Sequence, residues 1–368
     1  MSRDLSRPHA RAAARPAPSP YRRHTSRGML VTVLTAALAV PLAGPAGAAP
    51  APSVSAAADA SGFQGVNGAM PGDNFTEGPV VPEGLKESDG YNTVKAKAGR
   101  IYSEFERTAK ANTVRLPINT HSVPGTKWGK AYAGAIDAAT AKGFKVILSY
   151  WEDDAASGGK IEDMDAFNEM WDAVVDKYGS NSRVYFEPMN EPHGYSGSDW
   201  ADVAADWMAD RPDVPKNRIV VSGTGYNSDV TSLCADDRLN GTHLSLHLYA
   251  FQFGEKTYAD WIDEFESRIG DCGKRTVLDE LGAPMDDGRN YNDSSSDDNF
   301  VRYLRAAADT ARAHDMGAVY WPALGGKHSQ RPDHDWYSLY ALEGSGTDLT
   351  LRVRNASGID RLNHAWGR

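Results

Sequence analysis

Two short segments of the chain carry carboxylates in a setting suited to acid–base chemistry. One reads Met189-Asn190-Glu191-Pro192-His193 and the other Asp279-Glu280-Leu281-Gly282, and each closes a β-rich run. Cleavage of an acetal needs two such groups. One carboxyl protonates the departing oxygen, while the other attacks the sugar carbon or activates water. Their surroundings must also hold them in different protonation states. Other residues of the right chemistry end further runs: Arg115 in Arg115-Leu116-Pro117, His247 and Tyr249 in His247-Leu248-Tyr249, and Trp321 after Ala318-Val319-Tyr320. A buried cation can hold a carboxylate ionised, and an indole face packs well on the apolar C–H face of a pyranose.

The elements that must bring these residues together are legible as an alternation. Eight β-rich runs occur at 62–67, 113–117, 144–150, 184–189, 218–222, 244–249, 276–280 and 318–321. Between several of them the apolar period lengthens from about 2 to about 3.6 residues. Met164, Phe167, Trp171, Val174, Val175 and Tyr178 then share one helical face, as do Phe300, Val301, Leu304, Ala307, Ala308 and Ala311. Strand and helix repeated to a count of eight predict an α/β fold, a single (β/α)8 TIM barrel. A doubly wound open sheet would carry a G-x-G-x-x-G turn after its first strand, but Gly65-Val66-Asn67-Gly68-Ala69-Met70 lacks that spacing. In a barrel the strand ends converge on one face, which is where the motifs above fall.

In that order, on strands 2, 4, 6, 7 and 8, Arg115-Leu116-Pro117, Asn190-Glu191-Pro192, His247-x-Tyr249, Glu280-x-Gly282 and Trp321 resemble glycoside hydrolase family 5, the cellulase family of retaining (β/α)8 glycosidases. The resemblance spans roughly residues 62–367. It implies that Glu191 is the acid/base and Glu280 the nucleophile of a double displacement. It further implies that Asn190 holds the sugar 2-hydroxyl, Arg115 and Tyr249 orient Glu280, His247 completes the polar floor, and Trp321 stacks under the sugar. One position departs from the family pattern. Many members carry a His just past strand 3, where this chain reads Ser149-Tyr150-Trp151-Glu152. Trp151 or Glu152 would stand there instead, which points away from the ordinary endoglucanases. The implied substrates are a β-glucan or a β-galactan or β-mannan type of polysaccharide or oligosaccharide. A carbohydrate-binding barrel that no longer cleaves, and a transglycosylase on the same site, are the alternatives.

Several residues have competing readings. Asp279 is a rival to Glu280, and strand alternation lets only one of the two face the reaction centre. Glu187, which shares a face with Glu191, reads as a paired interior charge. Trp171, Trp207 and Trp261 read as packing, whereas Trp128 and Trp336 fall in predicted loops and could floor outer subsites. His328, Asp333, His334 and Asp335 do not match a zinc spacing, and the acids of 286–299 do not match a calcium loop, so neither metal nor cofactor is expected.

Residues 1–48 read as a secretory signal peptide: an Arg-rich start, an apolar stretch from Met29 to about Leu42, and Ala46-Gly47-Ala48 as an exit. The stretch is too short and too interrupted by Pro41, Gly44 and Pro45 to span ~30 Å of hydrocarbon. A secreted, extracellular product follows, with 49–61 as a disordered mature terminus and 62–368 as one catalytic domain. Cys234 and Cys272 are the only cysteines, and in an exported protein they are expected to form one disulfide. Net charge is −10 overall, and residues 1–48 hold seven of the 39 basic residues but one of the 49 acidic ones. So acidic a remainder would repel phosphate backbones and anionic lipid, which argues against nucleic-acid and membrane partners. A monomer acting on carbohydrate is the expectation.

Overall fold

The computed structural model describes residues 58–326 and 337–368. The expected signal peptide, most of the expected disordered terminus, and His328, Asp333, His334, Asp335 and Trp336 lie outside the described residues.

Eight parallel strands form the barrel: β1 (Gln64–Pro71), β2 (Thr113–Ile118), β3 (Lys145–Tyr150), β4 (Val184–Glu187), β5 (Val220–Ser222), β6 (His243–His247), β7 (Thr276–Glu280) and β8 (Gly317–Gly326). Their order is β4-β3-β2-β1-β8-β7-β6-β5, and a parallel bridge from Phe186 to Ile219 joins the two ends. All eight coincide with the β-rich runs of the sequence, with shifted ends. β5 is shorter than expected because Lys216–Arg218 forms a 3-10 turn. The Arg218 guanidinium there donates to the carbonyls of Tyr178, Gly179 and Val184.

Longer helices cover the outside: α1 (Tyr91–Ala109), α2 (Lys127–Ala141), α3 (Met164–Tyr178), α4 (Gly197–Asp210), α5 (Tyr258–Ile269), α6 (Asn299–Ala313) and α7 (Ala356–Ala365). Side chains cap most of their starts, though not that of α1. Thr126, Asp163, Ser196 and Asp298 each accept a first-turn N–H that would otherwise lack a partner. α3 buries Phe167, Met170, Trp171, Val174 and Tyr178 against the barrel. Met164, expected on that face, opens the helix and is 42% exposed. Because the strands are covered by helices outside and side chains inside, β2 is buried along its whole length.

The end of the barrel opposite the motifs is plugged by Phe63, Ile147, Val220, Val277 and Val319 together with Ala60. Ala58 and Ala60 are buried, and the Ala60 N–H donates to the Lys274 carbonyl at 2.9 Å. Residues 58–61 therefore belong to the domain rather than to a disordered terminus, because two small apolar side chains fill space beneath the strands. After β8 the chain forms an antiparallel hairpin, β9 (Tyr340–Ser345) and β10 (Asp348–Val353), that the count of eight strands leaves out. Cys234 and Cys272 form the expected disulfide, with their Cα atoms 6.3 Å apart. No helix among the described residues is long and apolar enough to cross a membrane.

Candidate active site

Parallel register sets the floor of the site. Asn67 of β1 lies beside Arg115 of β2, and Ser149 of β3 beside Glu187 of β4. Their polar ends meet inside the barrel mouth, where water is excluded and each donor must find an acceptor. Arg115, 1% exposed, uses its whole fork. Nε and Nη2 donate to the two oxygens of Glu187 at 2.6 and 2.8 Å, and Nη1 donates to Glu280 Oε1 at 2.6 Å. Further hydrogen bonds run to Asn67 Oδ1 at 3.1 Å, Ser149 Oγ at 3.1 Å and Asn190 Oδ1 at 2.7 Å. Glu187 is thus the paired interior charge expected from sequence. A planar guanidinium suits this place, since a lysine could not serve two carboxylates and an amide at fixed angles.

The same bonds orient Asn190 and Glu280. Asn190 turns its oxygen to Arg115, which leaves Nδ2 buried with no partner among the described residues. Glu280 receives Arg115 on Oε1 and the Tyr249 hydroxyl on Oε2 at 2.7 Å. His247 joins the carboxylates. Its Nδ1 lies 3.1 Å from Glu191 Oε1 and 3.5 Å from Glu280 Oε2, and its Nε2 lies 3.5 Å from Asp279 Oδ1. Ligand-type atoms of Glu191, His247 and Glu280 all fall within 4.8 Å of one another. Glu191 keeps 17% of its side chain exposed and Glu280 keeps 4%, so both can be reached from the cleft.

Asp279 and Glu280 depart from simple alternation. Leu246 pairs with Leu278 but His247 pairs with Glu280, so Asp279 is an extra residue in a β-bulge. The bulge re-aims the strand end and brings both carboxyls to one network. Asp279 is fully buried, accepts the Ser245 hydroxyl at 2.6 Å and lies 3.7 Å from Arg115 Nε. Only Glu280 of the two lines the open cleft.

Electrostatics follow from this crowding. Burial pushes the Glu280 carboxyl up to about 7, against the opposing pull of His247, Arg115 and the Tyr249 hydroxyl. Burial pushes the His247 imidazole down, but Glu280, Asp279 and Glu191 outweigh it and lift the ring to about 10. Burial works against the Arg115 charge, yet Glu187, Glu280 and Asp279 hold it firmly protonated. Glu187, His247 and Asp279 also present atoms within 4.8 Å of one another, a spacing a metal ion could use. The charge of these acids is already met by Arg115 and His247, so the donor set does not fit an added cation.

Aromatic rings wall a cleft of about 1020 Å³ that opens to solvent. Trp151 stands just past β3 and stacks on Trp321 with centroids 5.2 Å apart and planes 21° apart. Phe75, 42% exposed, meets Trp151 edge-on at 4.9 Å. Tyr249 stacks on Phe251 at 5.0 Å. Tyr226 lines the cleft with Glu191 and stacks on His193 at 4.1 Å. Trp128 is not in the cleft. It lies within α2, 2% exposed, and its Nε1 donates to the Val80 carbonyl at 2.8 Å. Thr126 caps α2 one residue before its start, so the segment read as a loop is helix and its indole packs inward. Trp171, Trp207 and Trp261 are packing residues, as expected.

The arrangement unites Arg115, Asn190, Glu191, His247, Tyr249, Glu280, Trp151 and Trp321 at one end of the barrel. Asn67, Ser245, Tyr226 and Asn227 belong to it as well and were not singled out from sequence. Asn67 left a faint signal, a polar residue inside an apolar strand, whereas Tyr226 and Asn227 sit in a turn whose course the sequence does not reveal.

The cellulase model of glycosyl hydrolase family 5 matches residues 85–324, more than half of the chain. The chain belongs to glycosyl hydrolase family 5. It is a glycosidase with an endoglucanase-like (β/α)8 barrel. Solved structures agree on the fold. The catalytic domain of the major endoglucanase from Xanthomonas campestris pv. campestris is 16% identical, with a TM-score of 0.57 over 83% of this chain and 95% of that one. An endo-β-1,4-glucanase from Xanthomonas axonopodis pv. citri is 18% identical, with a TM-score of 0.55 over 83% and 99% of the two chains. An endocellulase from Pyrococcus horikoshii, in complex with cellotetraose, is 15% identical, with a TM-score of 0.55 over 82% and 92%. No curated protein matches the chain by sequence.

Proposed function

We propose that this family 5 glycosidase hydrolyses β-linked polysaccharide or oligosaccharide with retention of configuration, using Glu280 as nucleophile and Glu191 as acid/base. The observation that carries the reading is the convergence of Glu191, His247 and Glu280 within 4.8 Å at the ends of β4, β6 and β7. Retaining enzymes keep their carboxyls about 5–5.5 Å apart, whereas inverting ones need about 6.5–9.5 Å to admit a water.

In the first step Glu280 attacks the anomeric carbon, and Glu191 gives its proton to the departing glycosidic oxygen. A covalent glycosyl-enzyme forms on Glu280. In the second step Glu191 takes a proton from water, which attacks the same carbon and releases Glu280. Arg115 and the Tyr249 hydroxyl aim Glu280 and favour its ionised form against the burial that pushes its carboxyl up. The unpartnered Nδ2 of Asn190 is suited to the sugar 2-hydroxyl, a contact that strengthens as charge develops on the ring. Trp321 offers an indole to the sugar, one face of it already covered by Trp151. A β-1,4-glucan is the first substrate to test, because the structural neighbours are glucanases. β-Mannan and β-galactan follow, given the Trp151 departure. The chain works outside the cell as a monomer after its leader is removed.

Proton NMR of the first sugar released tests the reading. A β-anomer appearing before mutarotation supports it, and an initial α-anomer overturns it. The same products, analysed at high substrate, separate hydrolysis from transfer to a second sugar.

A further inference from the structure

Glu191 has φ of +49°, in the left-handed region that a residue with a branched or long side chain seldom occupies. Among the described residues only four non-glycine positions have positive φ, and a second of them, Asn227 at +50°, is bonded to Glu191 directly. Asn227 is fully buried in the turn after β5. Its Oδ1 accepts the Glu191 N–H at 3.0 Å. Its Nδ2 donates to Ser245 Oγ at 2.6 Å and lies 3.3 Å from His247 Nε2. The Ser245 hydroxyl passes the contact on to Asp279 Oδ1 at 2.6 Å, and the far side of the same imidazole lies 3.1 Å from Glu191 Oε1.

One amide therefore holds the Glu191 backbone directly and stands against the imidazole that meets its carboxylate. Asparagine suits the position on two counts. It tolerates the left-handed conformation better than other non-glycine residues, and it supplies an acceptor and a donor together. We propose that Asn227 is a positioning residue for proton transfer, holding Glu191 turned toward the leaving oxygen. The inference rests on Glu191 being the acid, which the control below tests separately.

A leaving-group comparison reads the effect. Cleavage of a 2,4-dinitrophenyl glycoside needs no proton on the departing oxygen, whereas cleavage of a phenyl glycoside does. Matched pairs of these β-glycosides of cellobiose, mannobiose and galactobiose are offered to the wild type, and the pair it cleaves fastest is used. kcat/KM is the readout because it reports the first step. Asn227→Gly keeps the left-handed turn accessible and Asn227→Ala does not, so the glycine variant decides where the alanine variant fails to fold. Loss of one hydrogen bond at the acid predicts a fall of roughly tenfold on the phenyl substrate and under about twofold on the dinitrophenyl one. Equal losses on both, no loss on either, or an unfolded Asn227→Gly protein overturns the positioning role. Glu191→Ala is the control. If it shows the selective loss and Asn227→Gly does not, the acid assignment stands and the inference fails; if it too is unselective, both fail.

Discussion

Replacing Tyr249 by Phe removes one oxygen from the site and little else. The Tyr249 ring is buried and stacks on Phe251 at 5.0 Å, and Phe retains that packing. What disappears is the hydroxyl that donates to Glu280 Oε2 at 2.7 Å. A hydrogen bond to an ionised acceptor contributes about 1.5–3 kcal/mol, and about 1.36 kcal/mol is one pKa unit. The bond stabilises the charged form of Glu280, so its loss raises the carboxyl by about one to two units from a value already near 7. The nucleophile must be ionised, hence activity is lost as pH falls through that pKa, and the acidic limb moves to higher pH. Glu280 and His247 lie 3.5 Å apart and titrate together, so the limb belongs to the pair. The assay is kcat/KM against pH on a 2,4-dinitrophenyl β-glycoside, whose cleavage does not call on the acid. The expected result is a limb displaced upward by about one unit or more, with a loss of about 10-fold or more on its acidic side. An unmoved limb with unchanged kcat/KM would refute the claim that Tyr249 holds the nucleophile ionised.

Arg115→Ala leaves Glu187 and Glu280 buried without their cation. It should lower unfolding free energy by about 3–5 kcal/mol in urea titrations, or prevent folding altogether. Cys234→Ser opens a loop of 38 residues and should cost up to about 4 kcal/mol of stability, read by denaturant midpoint, with kcat/KM at moderate temperature unaltered. Trp151→Ala uncovers the second face of Trp321. It should change the ranking of glucan, mannan and galactan substrates in a polysaccharide panel while leaving cleavage of the dinitrophenyl glycoside within about threefold, because Trp151 touches neither carboxylate.

The barrel was legible because most of its strands are buried on both sides and therefore read as dense apolar runs, and because motif residues punctuate the same end of several runs. Arg115, Glu191, His247, Tyr249 and Glu280 could be grouped for that reason. The hairpin of β9 and β10 escaped, although Gly344-Ser345-Gly346 marks a turn between two alternating runs. Among the described residues its strands pair only with each other and do not enter the barrel's count. Strand alternation allowed only one of Asp279 and Glu280 to face the cleft, but the bulge that brings both carboxyls to one network is set by the register of the partner strand and leaves no local mark. Trp128 was misplaced by one missed cap at Thr126. Asn227 was invisible for a deeper reason. Its role depends on a turn after β5 meeting the end of β4, a contact 36 residues apart that no periodicity encodes.

The proposed double displacement requires a covalent bond between the sugar and Glu280. Incubation with a 2-deoxy-2-fluoro glycoside bearing a 2,4-dinitrophenyl leaving group slows the second step enough to trap that species, and peptide mass spectrometry locates it. One sugar per chain is expected, attached at Glu280 and absent from Glu280→Gln. A label on Asp279 or Glu191, or turnover of the unmodified substrate by Glu280→Gln at the wild-type rate, would contradict it.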